Sequence, residues 1–215
     1  MKINQSKQLN TFKSPSFNGQ RLYALNLLDL TKKGSDRFVP AYFTQIDASD
    51  IPFLKELQPL WEKTTLGQQI LTGIFNKINE IECKNKFFMI ECPQFVNIED
   101  RLRALSAIFI PNKIFANLDL QLLQSASQLN INQLKGSGTA ILRGLCKYAK
   151  SYSGINSIDI ISKPSAIGFY EKQKINKNEH ALYPSFYINR SDFDEYNRTQ
   201  SNIFGKIKEI KIKND

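Results

Sequence analysis

The sequence predicts a mixed α/β fold, a single domain with a central, mostly antiparallel sheet flanked by helices and preceded by an N-terminal extension. Three observations carry this. Two amphipathic helical stretches, near residues 52–61 and 66–78, precede β-branched or strictly alternating segments. A glycine turn, Lys135-Gly136-Ser137-Gly138, opens a third helix, which is followed in turn by a strand, a short helix and another strand. With 215 residues, 41% hydrophobic and 23% charged, the chain has the length for one ordinary core, so residues 21–215 read as one domain.

Residues 1–20, rich in Ser, Asn, Gln and Lys with little periodicity, read as a loose tail. Arg21–Thr31 and Phe38–Ile46 flank the turn cluster Lys32-Lys33-Gly34-Ser35-Asp36, which predicts a β-hairpin; a helix over 21–30 fits the leucine spacing nearly as well. Ser49 or Asp50 caps a helix that starts near Pro52, buries Phe53, Leu54, Leu57, Leu60 and Trp61, and bends or breaks at Pro59. Leu66, Ile70, Leu71, Ile74, Phe75 and Ile78 share one face of the next helix.

Lys86–Cys92 and Leu102–Ile110 read as neighbouring strands. Leu118-Asp119-Leu120-Gln121-Leu122 alternates strictly, the mark of a strand with one buried face. After the glycine turn, Ile141, Leu142, Leu145, Cys146, Ala149 and Tyr152 set a 3.6-residue rhythm, with Arg143, Lys147 and Lys150 expected on the opposite, solvated side. Gly154 closes this helix, Ile155–Ile161 is a β-branched buried strand, and Pro164 starts a short helix. Leu182–Asn189 reads as a strand, Ser191–Gln200 as a polar loop, and Ile207–Lys213 as a charged edge strand.

No apolar run reaches the roughly 18–20 residues of a membrane span, and no apolar segment follows the basic N-terminus, so no membrane association and a cytoplasmic location are expected. Cys83, Cys92 and Cys146 cannot pair completely and match no zinc or redox spacing, so they read as free thiols. His180 is the single histidine; that excludes multi-histidine metal sites, and no metal is expected. The net charge of +9 and pI near 9.4 admit an anionic partner, either nucleic acid or an anionic cofactor, although the lysines are dispersed.

The glycine turn gives this charge a specific outlet. The first turn of a helix leaves about four N–H groups without intrahelical partners, at the positive end of the dipole. Without side chains in the way, a phosphate or pyrophosphate can reach those donors, with Lys135 adding charge at the rim; a Gly-rich helix start with no ligand fits the turn taken alone as well. The turn is not a Walker A loop, which requires Gly-Lys-Ser/Thr where Gly136-Ser137-Gly138-Thr139 stands. It is not a dinucleotide fingerprint either, since Ile141 occupies the third small position.

Gln133, Gly136 and Gly138 match the Gln/Arg-x-x-Gly-x-Gly/Ala motif of the GNAT superfamily of acyl-CoA-dependent N-acyltransferases, and one helix and one strand further on Ala166, Phe169 and Tyr170 match its next motif. The chain resembles that superfamily in outline over residues 40–190 and specifically over 133–175. It departs from the pattern at Lys163, which stands where the family has Asn, and at Lys174-Ile175, which replaces Gly-Phe.

The resemblance implies acetyl-CoA as cosubstrate, with the pyrophosphate on Gln133, Leu134, Lys135, Gly136, Ser137, Gly138 and Thr139. It places Ser125, Ala126, Ser127 and Gln128 along the pantetheine strand, and Lys163, Ala166 and Phe169 beside the cofactor. Tyr170 resembles the family's general acid, which assists departure of the thiolate. The base is not fixed: Glu91, Glu99 and Asp119 are the carboxylates near the central strands. The acceptor is an amine on a small molecule, a protein or an aminoacyl-tRNA, and the enzyme a monomer or homodimer. The reading from a different class is a non-catalytic, basic nucleic-acid-binding module, motivated by the charge alone.

Overall fold

The computed structural model describes residues 19–80, 84–111, 116–129 and 134–210. In chain order its elements are β1 (Gln20–Asp29), β2 (Phe38–Gln45), α1 (Ile51–Trp61), α2 (Thr65–Lys77), β3 (Asn85–Glu91), α3 (Ile98–Arg101), β4 (Leu102–Phe109) and β5 (Ala116–Ser125). They continue with β6 (Leu134–Lys135), α4 (Ser137–Lys150), β7 (Ile155–Ile161), α5 (Ile167–Lys172), β8 (Asn176–Lys177), β9 (Ser185–Asn189), α6 (Phe193–Phe204) and β10 (Lys208–Glu209). One sheet runs β10-β1-β2-β3-β4-β5-β7-β9-β8, with β6 against β1. Every pairing in it is antiparallel except β5 with β7.

The hairpin expected after the tail forms, with Leu25 opposite Ala41 and Leu27 opposite Val39. Strand alternation wins over the helical alternative because Tyr23, Leu25 and Leu27 all enter the core that lies under α4. A second core lies on the other face of the sheet, where α1 and α2 bring Leu57, Trp61, Ile70 and Ile74 against Phe87, Met89, Leu105 and Ala107. α1 does not break at Pro59 but runs on to Trp61; the proline withdraws one N–H, and burial of Leu57 and Trp61 outweighs that loss. Thr64 caps α2, its hydroxyl accepting from the Gly67 N–H at 3.0 Å.

Two expectations are corrected on the far side of α4. Ser191–Gln200 is not a loop: Phe193–Phe204 is helix α6, which packs on α4. Its inward face reads Phe193, Tyr196, Asn197, Gln200, Phe204, a helical spacing in which two positions are amides rather than hydrocarbons. Arg143, expected in solvent, is consequently buried between the two helices, where its Nη2 donates to Ser201 Oγ at 3.2 Å and to the Gly205 carbonyl at 2.8 Å. Lys147 and Lys150 remain at the surface margin, and Lys150 pairs with Asp194.

At the C-terminal side, Lys208 and Glu209 pair with Ala24 and Tyr23 on the edge of β1, a shorter strand than expected; residues 211–213 of the expected strand lie outside the described residues. Cys92 and Cys146 are free and buried, while Cys83 lies outside the described residues. No helix among the described residues is long and apolar enough to cross a membrane.

Candidate active-site cleft

The site is set by the one parallel pair. β5 and β7 are bonded from Ala116–Ile155 to Leu120–Ile160, and there the pairing stops. β5 continues to Ser125, still paired with β4 through Leu122–Ala107 and Ser125–Ala104, so among the described residues Gln121–Ser125 has no strand paired on its gap side. The gap is a cleft of about 790 Å³ lined by Asp119–Leu123 of β5, Asp159–Ile161 of β7, Leu66 of α2 and Tyr170 of α5. Its walls come from both faces of the sheet.

Of the expected strand contacts, Ser125 ends this stretch. Ala126 and Ser127 have left it in a single 3₁₀ turn over Ala126–Leu129, with Ala126 fully buried toward α2; the Gln128 side chain lies outside the described residues. The stretch of β5 that faces the cleft is instead Asp119–Leu123, a few residues upstream of the expected one.

Gln133 lies outside the described residues. Leu134 and Lys135 form β6 against Asp29 and Leu28, which anchors the turn; Leu134 is buried and Lys135 exposed. Gly136 is left-handed, with φ +101°, and a Cβ there would stand 2.3 Å from Phe204 Cε1, so only glycine fits. The first helical bond runs from the Ala140 N–H to the Gly136 carbonyl at 2.7 Å. The N–H groups of Ser137, Gly138 and Thr139 therefore have no acceptor among the described residues, an arrangement suited to an anion. The Thr139 hydroxyl points elsewhere, donating to Gln173 Oε1 at 3.2 Å.

Pro164–Ala166 forms a 3₁₀ turn that leads into α5, bringing Ala166 and exposed Lys163 to the cleft. Phe169 and Tyr170 meet edge to face, 4.9 Å between centroids, and Tyr170 stacks on Phe186 at 5.3 Å. Tyr170 is only 6% exposed; its hydroxyl has no hydrogen-bond partner among the described residues yet is not sealed from the cleft that it lines. Burial pushes its pKa up to about 12, so the phenol keeps its proton across the physiological range.

Among the three carboxylates considered for a base, Glu91 is buried in an ion pair with Arg21 at 2.6 Å and accepts from Thr44 Oγ1 at 3.0 Å. Glu99 is exposed in the short helix α3, and Asp119 lines the cleft. Asp119 has a neighbour that the sequence reading missed, Asp159, its Cα partner on β7. Burial, then the Asp159 charge, raise the Asp119 pKa above the ordinary carboxylate value. A carboxylate interrupting the apolar run Ile155–Ile161 was the available signal. Gln173 was also missed: buried at the end of α5, it accepts from Thr139 Oγ1 and, at 2.9 Å, from the Tyr196 hydroxyl. Among the described residues, no group of three or more His, Cys, Asp or Glu is placed to hold a metal.

No family model and no curated protein matches the chain. Solved structures do match. FdhC, a nucleotide-linked sugar GNAT in its apo form, aligns with a TM-score of 0.53 at 14% identity over 76% of this chain and 94% of its own. Spermidine N-acetyltransferase from Vibrio cholerae, in complex with CoA and spermine, aligns at 0.49 and 15% identity over 71% and 97% of the two chains. NAA60 from Arabidopsis thaliana, in complex with a bisubstrate analogue, aligns at 0.48 and 11% over 69% and 97%. The overlap with FdhC, together with the parted strands and the glycine turn, defines the architecture: this chain has the GNAT fold.

Proposed function

We propose that this chain is an acyl-CoA-dependent N-acyltransferase that moves an acetyl group from acetyl-CoA to a primary amine. The observation that carries the reading is one juxtaposition: a strand edge left unpaired beyond Leu120 and a buried tyrosine hydroxyl face the gap between β5 and β7, and three unpartnered N–H groups at a glycine-opened helix start lie against Phe169, the neighbour of that tyrosine. The residues fit the cosubstrate. Ser137, Gly138 and Thr139 N–H groups with Lys135 would hold the pyrophosphate, the Gln121–Ser125 edge would pair with pantetheine amides, and Ala166 and Phe169 would flank the arm.

In the transfer, the amine nitrogen bonds to the thioester carbonyl carbon, the carbon–sulfur bond breaks, and the amine proton leaves to solvent. Tyr170 acts at the sulfur. With its pKa near 12 and an ordinary thiol near 8.5, complete proton transfer to the thiolate is uphill by about 5 kcal/mol. Tyr170 therefore serves as a hydrogen-bond donor to the developing negative charge, and the thiolate collects its proton on release. This sharpens the general-acid role that the motif implies.

The same reading takes residues 21–215 as one acyltransferase domain acting in the cytoplasm. The nucleic-acid-binding reading has weaker support, because the main cleft carries two carboxylates rather than a basic stripe. Melting of the protein with and without acetyl-CoA tests the proposal. At a hundred times Kd the ligand should stabilise by about 2.7 kcal/mol, or roughly 5–10 °C for a domain of this size. An unmoved melting temperature at millimolar acetyl-CoA would refute it.

A further inference from the structure

α1 and α2 cover the sheet from β3 to the near side of β5, and no helix among the described residues covers β7 and β9 on that face. Strand alternation places Asp119, Asp159 and Tyr187 there: Leu118, Leu120, Ile158, Ile160, Phe186 and Ile188 all enter the core under α4, so their neighbours point the other way. Asp119 and Asp159 are direct Cα partners on strands about 4.8 Å apart. Among the described residues neither has an ion pair, in a chain whose net charge is +9.

Asp159 is held in place by Asn117 Nδ2 and by Ser157 Oγ, both donating at 2.6 Å. Asp119 has no such donor among the described residues and faces a like charge across the ladder, so a cation between the two would relieve the repulsion. A second observation is independent of the carboxylates. The Tyr170 hydroxyl, on a side chain more than nine-tenths buried and without a partner, opens into the same cleft from the opposite face. The cleft thus has a donor end, where the thioester belongs, and an acidic end. Pantetheine is uncharged and cannot neutralise the latter.

We propose that Asp119 and Asp159 form an ammonium subsite, so that the acceptor carries a second cationic centre besides the amine that is acylated, as a diamine or polyamine does and a monoamine or neutral amino sugar does not. This rests on reading the cleft as the acyl-transfer centre.

Calorimetric titration of 1,4-diaminobutane and of 1-aminobutane into the protein, with and without CoA, tests it. The diamine should bind at least about tenfold tighter than the monoamine, the scale of one charged hydrogen bond. Asp119→Asn and Asp159→Asn, singly and together, should bring the two amines to parity; Asp119→Asn should do so without lowering the melting temperature, because it removes repulsion, whereas Asp159→Asn also gives up one of two accepted hydrogen bonds. Equal affinities in the wild type, no diamine binding, or a preference that survives both substitutions would overturn the subsite. Acetyl-CoA titrated into the same samples separates the two ideas. Binding of acetyl-CoA with silent diamine rejects the subsite alone, whereas diamine binding without acetyl-CoA binding rejects the transferase reading.

Discussion

The Phe169 ring lies against the backbone of Gly138: a Cβ on residue 138 would stand 3.0 Å from Phe169 Cζ. The contact joins the first turn of α4 to α5 across one helix and one strand of sequence. Gly138→Ala should be absorbed by a small shift of the ring tip. Gly138→Val should displace the ring and crowd the three free N–H groups, weakening acetyl-CoA by about tenfold or more, the scale of one lost charge-assisted hydrogen bond. Calorimetry decides, and an undiminished affinity in the valine variant would speak against a pyrophosphate at this turn.

Lys174 stands where the resemblance leads one to expect glycine, yet its backbone keeps the glycine conformation, with φ +56° just past the end of α5. A side chain there costs about 1–2 kcal/mol. Lys174→Gly should therefore raise the melting temperature by roughly 2–4 °C, allowing for the entropy that glycine adds to the unfolded chain. A lower melting temperature would show that the lysine makes up the strain elsewhere.

Tyr170→Phe keeps both ring contacts and removes only the hydroxyl. Acetyl-CoA affinity should hold while kcat falls by roughly 10²- to 10³-fold, the loss typical of one donor aimed at developing negative charge. Thiol release with a working amine, measured beside a binding titration, reads both quantities. Wild-type turnover in a folded variant would remove Tyr170 from the chemistry.

Because burial holds the Tyr170 proton to about pH 12, the phenol should impose no alkaline limb on the rate. Between pH 6 and 10, kcat/KM should climb as the acceptor amine loses its proton and then level off. A fall in kcat above pH 9, in protein that stays folded, would mean that bound cosubstrate lowers the tyrosine pKa by several units.

Gln173 holds the hydroxyls of Thr139 and Tyr196 on one buried oxygen. Gln173→Leu leaves both without that acceptor, and should cost about 1–3 kcal/mol of stability. On the acyl-CoA reading it should also raise KM for acetyl-CoA more than it lowers kcat, since the loosened turn is there assigned to binding rather than to the reaction. Equal KM values would confine Gln173 to a packing role.

Much of the sheet was legible because its strands carry one-sided hydrophobic alternation: Leu118 and Leu120 pointed inward as read, and Ile155–Ile161 formed the strand between the same limits. α6 was hidden by chemistry. Asn197 and Gln200 occupy buried positions of its inward face, and amides carry no apolar signal even where their carbon atoms pack against α4. Arg143 was misplaced for the same reason, since its burial depends on acceptors supplied by α6.

The candidate site divided along a similar line. Residues whose role depends on local backbone, such as Gly136, could be read from the turn, because a left-handed φ selects glycine whatever surrounds it. Residues whose role depends on a neighbour across the sheet could not. Asp159 acquires its character from Asp119 in the adjacent strand, and the register of that pair is fixed by the fold rather than by spacing along the chain. The cleft-lining stretch of β5, Asp119–Leu123, lies upstream of Ser125–Gln128 because the cleft opens where pairing with β7 ends, at Leu120, and that partner strand is set by the fold.

The β1–β10 ladder, with Ile210 N–H also bonded to the Leu22 carbonyl, ties together positions nearly a chain length apart. Such closures form late and open early, because their loop entropy is recovered only once the intervening sheet exists. In hydrogen exchange, amides of β3 and β4 should be the slowest and those of β10 and the end of α6 among the fastest. Phe204, whose ring fills the space beside Gly136, sits at that labile end. The Gly136 turn is thus completed by a segment expected to dock late, and on the acyl-CoA reading ligand binding should slow exchange in α6, far from the turn in sequence.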